Sequence, residues 1–225
     1  MDLLGHDILN SNQAVLSYLE LIASSPGADK KTRIFAEKAI AHVRTSTVLV
    51  ENVKRLMATR TVNIQSLKPI DLLKAIELAE VEVSKFYPGK KIRIDIAAKP
   101  RNAFVYGNSY AADLIRNMLI TAARLDQGDD IRMSLSIQDG TFSGKPAWII
   151  RLENKNAQLP PFLDGEGVAA TYAQDISRTG KTAGMLFAKM IATNLGGDFD
   201  AHAISHEPKK KGAIFTIVLR KADRA

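Results

Sequence analysis

Leu3-Leu4-Gly5-His6-Asp7-Ile8-Leu9-Asn10, continued by Ser11-Asn12-Gln13-Ala14-Val15-Leu16-Ser17-Tyr18-Leu19-Glu20-Leu21-Ile22, opens the chain. If each residue turns a helix by about 100°, Leu4, Ile8, Val15, Leu19 and Ile22 fall on one stripe. His6 falls on the opposite side, with Asn10, Gln13 and Ser17 near it. The stretch reads as an amphipathic helix that projects a histidine from its polar face. An acid follows the histidine directly and an amide stands one turn on. Neutral imidazole is a competent nucleophile near pH 7, and an adjacent carboxylate raises its basicity and fixes its tautomer. A lone surface histidine has no function by itself, so its meaning depends on the rest of the chain.

Ser24-Ser25-Pro26-Gly27 is a breaker cluster that ends this helix. Asp29 is placed to cap a second helix running to about Arg60. In it Ala39, Val43, Ser46, Val50, Val53 and Met57 alternate spacings of four and three, a heptad seam. Two long helices joined by a short turn cannot bury their apolar stripes alone. The expected solution is a homodimer in which residues 1–60 of two chains form a four-helix bundle. Packing against the chain's own second half is the alternative. His42, inside the second helix, is expected to serve packing.

Beyond Arg60 the texture changes to short alternating segments, and residues 61–225 read as a second domain. Thr61 to Ile70 reads as a linker and short strand ended by Pro69, and Asp71 caps a helix to about Phe86. Pro88-Gly89 breaks it. Lys91 to Ile96 alternates polar and apolar residues, as a half-buried strand does. A short strand at Ala103–Tyr106 precedes a helix from Asn108-Ser109 to about Leu125. Strands are expected at Ile131–Gln138, Ala147–Glu153, Asp198–Ala203 and Ala213–Leu219, with a long loop and a helix near Gly184–Leu195 between the second and third. Helices on one face of a mixed sheet make the fold class α+β, a two-layer sandwich.

The 225 residues carry 46% hydrophobic residues and a formal charge of +7. The basic residues are scattered without interleaved aromatics, which argues against nucleic acid as partner. The dense run Lys209-Lys210-Lys211 lies between two strand-like stretches and reads as a solvated hairpin turn. A positive surface suits an acidic partner, because charge complementarity raises association rates. No apolar run approaches a membrane span, and no leader or anchor is expected. The chain contains no cysteine, which excludes disulfides and thiolate metal sites and fits a cytoplasmic location. His202 and His206 share a strand face without other evident ligands, so no metal site is expected. Trp148 is expected in the core.

His6-Asp7-x-x-Asn10, opening a helix, resembles the phospho-acceptor box of sensor histidine kinases, and the run His6 to Ile22 is most like archaeal versions. The resemblance implies that His6 carries a phosphoryl group on a ring nitrogen, that Asp7 polarises the imidazole, and that Asn10 positions water or the partner's phosphoryl. Gln13 and Ser17 then line the docking face. The order of elements after Arg60 resembles the ATP-binding domain of the same family, a Bergerat-type, GHKL-like sandwich. Asp113 to Arg124 matches the family's first nucleotide box, in which two asparagines four apart share a face and the second helps hold Mg²⁺. Asn117 is present; the second slot is Thr121. Trp148 to Pro160 resembles the adenine-reading strand and loop, where the acceptor aspartate is Asn154 and two glycines are Asn156 and Gln158. The phosphate loop reads Gly180-Lys181-Thr182-Ala183-Gly184, with Thr182 as its middle glycine. The helix after it, with Lys189 and the closing Gly196-Gly197, keeps the family's pattern, and its N-terminus suits an anion.

Five positions of the nucleotide apparatus are thus altered while His6, Asp7 and Asn10 are intact. This is the pattern of dimeric histidine phosphotransferases of phosphorelays, such as those of bacterial sporulation and of the alphaproteobacterial cell cycle. Asn117–Asp130 also resembles the latter. The expectation is an exchange of phosphoryl groups between His6 and the aspartate of a response-regulator receiver domain. Mg²⁺ would arrive with the receiver, the chain itself would require no cofactor, and ATP would bind weakly or not at all. Two alternatives stay open: an ATP-using kinase core with a divergent pocket, and a scaffold that docks receivers without phosphoryl chemistry.

Overall fold

A computed structural model describes residues 2–59, 67–87, 89–159, 183–204 and 212–223. The chain divides into two compact units, Met1–Ala58 and Thr59–Ala225.

The first unit is a helical hairpin, α1 (Asp2–Ser24) and α2 (Lys30–Thr59). Asp29 caps α2: its Oδ1 accepts from Thr32 N at 2.6 Å, and these amide hydrogen bonds hold the carboxyl below the usual carboxylate range. The half-buried residues of α1 are Leu9, Asn12, Leu16, Leu19 and Ala23, spaced three and four apart. Among the described residues of α2 the covered set is Ala36, Ala39, Ile40, Val43, Arg44, Ser46, Thr47 and Val50, which contains the described part of the expected seam. Asn12 Nδ2 donates to Ser46 Oγ and Thr47 Oγ1, 3.2 Å each, and Arg44 pairs with Glu20 at 3.2 Å. The inner face of α1 is therefore rotated from the expected stripe. Of that stripe Leu19 is half-buried, while Ile8, Val15 and Ile22 are exposed. The apolar arc of α1 is wider than one antiparallel neighbour covers. His42 is exposed, which corrects its expected packing role.

The second unit contains β1 (Lys68–Asp71), α3 (Leu72–Phe86), β2 (Lys91–Ala98), β3 (Phe104–Gly107) and α4 (Ser109–Arg124). It continues with β4 (Asp130–Phe142), β5 (Lys145–Asn154), α5 (Ala183–Asn194), β6 (Asp198–Ala203) and β7 (Ala213–Arg220). Five strands form a mixed sheet in the order β2-β4-β5-β7-β6. The β2–β4 pair is parallel and the rest are antiparallel. One face is apolar: Leu135, Leu152 and Phe215 share a cross-strand row, and Ile137, Ile150 and Ile217 share the next. Leu114, Ile115, Met118 and Leu119 of α4 and Ala188, Ile191 and Ala192 of α5 are buried with them, as the two-layer expectation requires. The opposite face carries Ser134, Ser136, Arg151 and Thr216, all at least partly exposed.

β1 and β3 form a separate two-stranded sheet. Pro69 does not end β1 but pairs with Tyr106 inside it, which an edge strand allows because no further neighbour needs the missing N–H. Asp71 then caps α3, accepting from Leu73 N at 3.0 Å and Lys74 N at 3.2 Å. β4 runs to Phe142, past its expected end. Gly140 lies within it, and the Ile149 side chain of the paired strand packs over the space that a Cβ there would take. Trp148 is buried, and its Nε1 donates to Phe104 O at 3.1 Å. The expected turn at Lys209–Lys211, His206, Gly180 and Thr182 lie outside the described residues. No helix among the described residues is long and apolar enough to cross a membrane.

Candidate functional site

The sequence offers two clusters, one in each unit. On α1, His6, Asp7, Asn10, Gln13 and Ser17 are all exposed. The side chains of His6 and Asp7 are 66% and 73% accessible, with His6 Nδ1 3.7 Å from Asp7 Oδ1. Asn10 Nδ2 stands closer, 3.1 Å from the same Nδ1. Residues four apart on a helix are neighbours, so the amide reaches the ring without distortion. Nε2 is the nitrogen left clear of both. Ser17 Oγ donates to Gln13 O at 3.0 Å, so part of its hydrogen-bonding capacity is spent on its own helix. The exposed Ile8, Val15 and Ile22 lie on the opposite side of α1.

In the second unit Asn117, Thr121 and Asn154 are buried, and Asn154 is fully so. Asn154 Nδ2 donates to Ala122 O of α4 at 3.1 Å. Its Oδ1 accepts from Asn156 N at 2.9 Å and Ala157 N at 3.2 Å. The side chain therefore closes a turn and ties that turn to α4. A second tie runs from Gln158 N to Leu125 O at 2.9 Å. Asn156 and Gln158 are exposed. Thr121 and Gly184 are brought together: a Cβ on Gly184 would stand 2.5 Å from Thr121 Oγ1. The start of α5 rests directly on the middle of α4's last turns, which glycine alone permits.

Three residues here carried no signal in the sequence reading. Arg124, in the last turn of α4, reaches the same glycine: Nη2 is 3.5 Å from where a Gly184 Cβ would be. Burial lowers the pKa of its guanidinium, and the nearby Tyr87 works against that shift. Burial pushes the Tyr87 phenol up to about 12 despite Arg124, and its hydroxyl donates to Ile120 O at 3.3 Å. Asp126 is buried just beyond α4, with Oδ1 accepting from Gly128 N at 2.8 Å. A basic residue closing an apolar helix was the one available hint of the first of these.

No group of three or more metal-ligating side chains occurs among the described residues. His202 is exposed on β6.

A mycobacterial sensor histidine kinase, MprB, superposes with a TM-score of 0.54 at 15% identity, over 70% of this chain and 99% of that one. The catalytic domain of the histidine kinase ThkA gives 0.50 at 14%, over 71% and 99%. The Acinetobacter baumannii histidine kinase AdeS gives 0.50 at 12%, over 96% and 98%. The α+β unit shares its fold with the catalytic domains of histidine kinases. No family model matches the chain, and no curated protein matches it. At such low identity the likeness carries architecture alone, so the chemistry has to be argued from the two clusters.

Proposed function

We propose that the chain is a histidine phosphotransfer protein of cytoplasmic two-component signalling, which exchanges a phosphoryl group between His6 and the aspartate of a response-regulator receiver domain. The observation that carries this reading is the contrast between the clusters. His6 is 66% accessible and, among the described residues, its two polar neighbours both stand at Nδ1, whereas Asn154 has both ends of its amide committed to the fold.

In the proposed step the Nε2 lone pair attacks phosphorus, the aspartyl O–P bond breaks, and the electron pair leaves on the receiver's carboxylate. The step takes the tautomer that carries its proton on Nδ1, and that proton stays in place. The ring becomes positive, and Asp7 lies close enough to stabilise that charge. Asn10, Gln13 and Ser17 supply the docking face. Little covalent work falls to the protein, so positioning and charge account for most of the rate. Mg²⁺ is supplied by the receiver's own acidic pocket. The exposed Ile8, Val15 and Ile22 support a homodimeric four-helix bundle, because a second hairpin laid there leaves His6 facing outward.

ATP does not fit this reading. The adenine acceptor's place is taken by an asparagine already bonded to backbone. An unmade charge-assisted hydrogen bond costs about 1.5–3 kcal/mol, roughly ten- to hundredfold in affinity. The likeness to kinase cores favours a second reading, an ATP-dependent autokinase. Mixing the protein with labelled phospho-receiver tests the first: acid-labile label on the protein is expected. Calorimetry with ATP and Mg²⁺ tests the second, and micromolar binding would restore it. Receiver binding without label transfer would favour a docking scaffold.

A further inference from the structure

Two polar groups approach one ring nitrogen of His6, and the amide is nearer than the acid. Asn10 Nδ2 is 3.1 Å from Nδ1, a hydrogen-bonding distance; Asp7 Oδ1 at 3.7 Å is not. A primary amide has a donor end and an acceptor end, exchanged by a half-turn that leaves the heavy atoms in nearly the same places. With its N–H toward the ring, Asn10 occupies the Nδ1 lone pair and obliges the imidazole to carry its proton on Nε2. With its carbonyl toward the ring, it accepts a proton held on Nδ1 and leaves the Nε2 lone pair facing solvent. The negative charge of Asp7 favours the second arrangement, because it lies against the nitrogen that would hold the proton.

We propose that Asn10 is the positioning residue that sets the tautomer of His6. Its carbonyl orientation makes Nε2 the nucleophile, and its N–H orientation silences the ring. Asp7 supplies the charge that selects the amide's orientation, and Asn10 makes the bond that holds the proton on Nδ1. The consequence for transfer rests on the phosphotransfer reading; the tautomer itself does not.

Long-range proton–nitrogen spectra of the imidazole, recorded where His6 is neutral, separate the two. In the wild type a pyrrole-type Nδ1 and a pyridine-type Nε2 are expected to dominate. Asn10→Leu should return His6 to the ratio shown by His42, which is exposed on α2 and serves as the internal reference. Asn10→Asp keeps an acceptor and removes the donor, so it should retain the Nδ1–H form. Transfer from labelled phospho-receiver should fall about 10- to 100-fold in Asn10→Leu, the usual cost of losing the bond that orients a functional histidine. It should stay near wild type in Asn10→Asp. Equal helical dichroism controls for folding. The assignment is overturned if Asn10→Leu leaves the ratio unchanged, or if Asn10→Asp moves it as far as Asn10→Leu does. If the ratio shifts as expected while no variant accepts label, the tautomer role stands and the phosphotransfer reading falls.

Discussion

Asn10 stands exposed on α1 with its amide beside an imidazole, whereas Asn154 is fully buried at the end of β5 with both ends of its amide spent on backbone. One residue type stands on an exposed polar surface in the first unit and forms a structural joint in the second. The same division separates the clusters around them. His6, Asp7, Asn10 and Gln13 present polar atoms to solvent, where a macromolecular partner can reach them. Asn117, Thr121 and Asn154 are buried, Thr121 against Gly184 of α5 and Asn154 bonded to α4 and to its own turn. Exposed polar groups make chemistry available at little cost in stability; buried ones hold the fold and are expensive to disturb.

The largest effect expected from breaking this contrast is on the hairpin side. His6→Ala should abolish uptake of label from phospho-receiver, since it removes the nucleophile. Stability should change by no more than about 0.5 kcal/mol, as befits an exposed helix position. Equal uptake by the variant and the wild type would move the site elsewhere. Asp7→Asn should keep docking and slow transfer by a factor of about 10² to 10⁴, read from single-turnover time courses.

Asn154→Asp tests the other side. It installs the residue that the resembled family uses to read adenine, yet here the new carboxylate would face Ala122 O with no proton to share. One carboxylate oxygen keeps the Asn156 and Ala157 N–H donors, but the other is a buried charge set against a carbonyl oxygen, which costs about 3 kcal/mol, read as a lower urea midpoint. The loss should shrink at acid pH, where the carboxyl can take up a proton and donate it. ATP affinity should not appear. A variant that is as stable as wild type and binds ATP would mean that residue 154 belongs to a latent nucleotide site.

Most of this architecture was legible in the sequence, for reasons that differ between elements. Helix ends were legible where a side chain caps them, as Asp29 and Asp71 do. Strand faces were legible where burial alternates, as in β4. The inner face of α1 was not, because its apolar arc is broad and includes Asn12, a polar residue in a covered position. A wheel weights Ile8 and Val15 above Asn12; the hydroxyls of Ser46 and Thr47, more than thirty residues on, reverse that order. Pro69 reads as the end of a strand but lies inside β1, because an edge position is a tertiary fact. At the sites, residue types on α1 were readable directly, since a local helix places them. The use made of Asn154 depends on Ala122, and the Arg124–Tyr87 pair joins two helices, so neither could be read from spacing.

A smaller effect has a pH signature confined to the second unit. The Tyr87 phenol is raised from 10.0 to about 12, chiefly by burial. Below pH 10 both folded and unfolded chains hold the proton, and this stabilising contribution is fully present. Between about pH 10 and 12 the unfolded chain loses the proton while the folded one keeps it, so stability falls as pH rises. The loss is about 2–3 kcal/mol across that window. Tyr87→Phe should flatten this alkaline limb in urea titrations. It should also cost about 1 kcal/mol at neutral pH, for the hydrogen bond to Ile120 O. An unchanged alkaline slope would place the titrating group elsewhere.

The smallest effect should come from the asparagine inside the hairpin seam, and it sharpens the contrast between the units most directly. Asn12 donates to two hydroxyls, Ser46 Oγ and Thr47 Oγ1, but Thr47 Oγ1 also donates to Val43 O at 3.0 Å. Removing the amide therefore leaves Thr47 with a partner on its own helix and Ser46 free to adopt the same kind of bond. Leucine at this position also adds apolar surface between Leu9, Leu16 and Leu19. The gain and the lost hydrogen bonds are each of order 1 kcal/mol and opposite in sign. Asn12→Leu should therefore shift the thermal midpoint of the hairpin only slightly, in contrast to Asn154→Asp. What it should lose is register, because a polar pair in a heptad seam fixes the axial alignment that leucines leave degenerate. Cross-linking between cysteines placed at positions 20 and 44 reads that alignment, since Glu20 and Arg44 are paired in the wild type. Cross-linking should be single in the wild type and spread over neighbouring positions in Asn12→Leu. A variant that loses more than about 2 kcal/mol would show that the hairpin depends on buried polar bonds as the sandwich does, and the division between the two units would not hold.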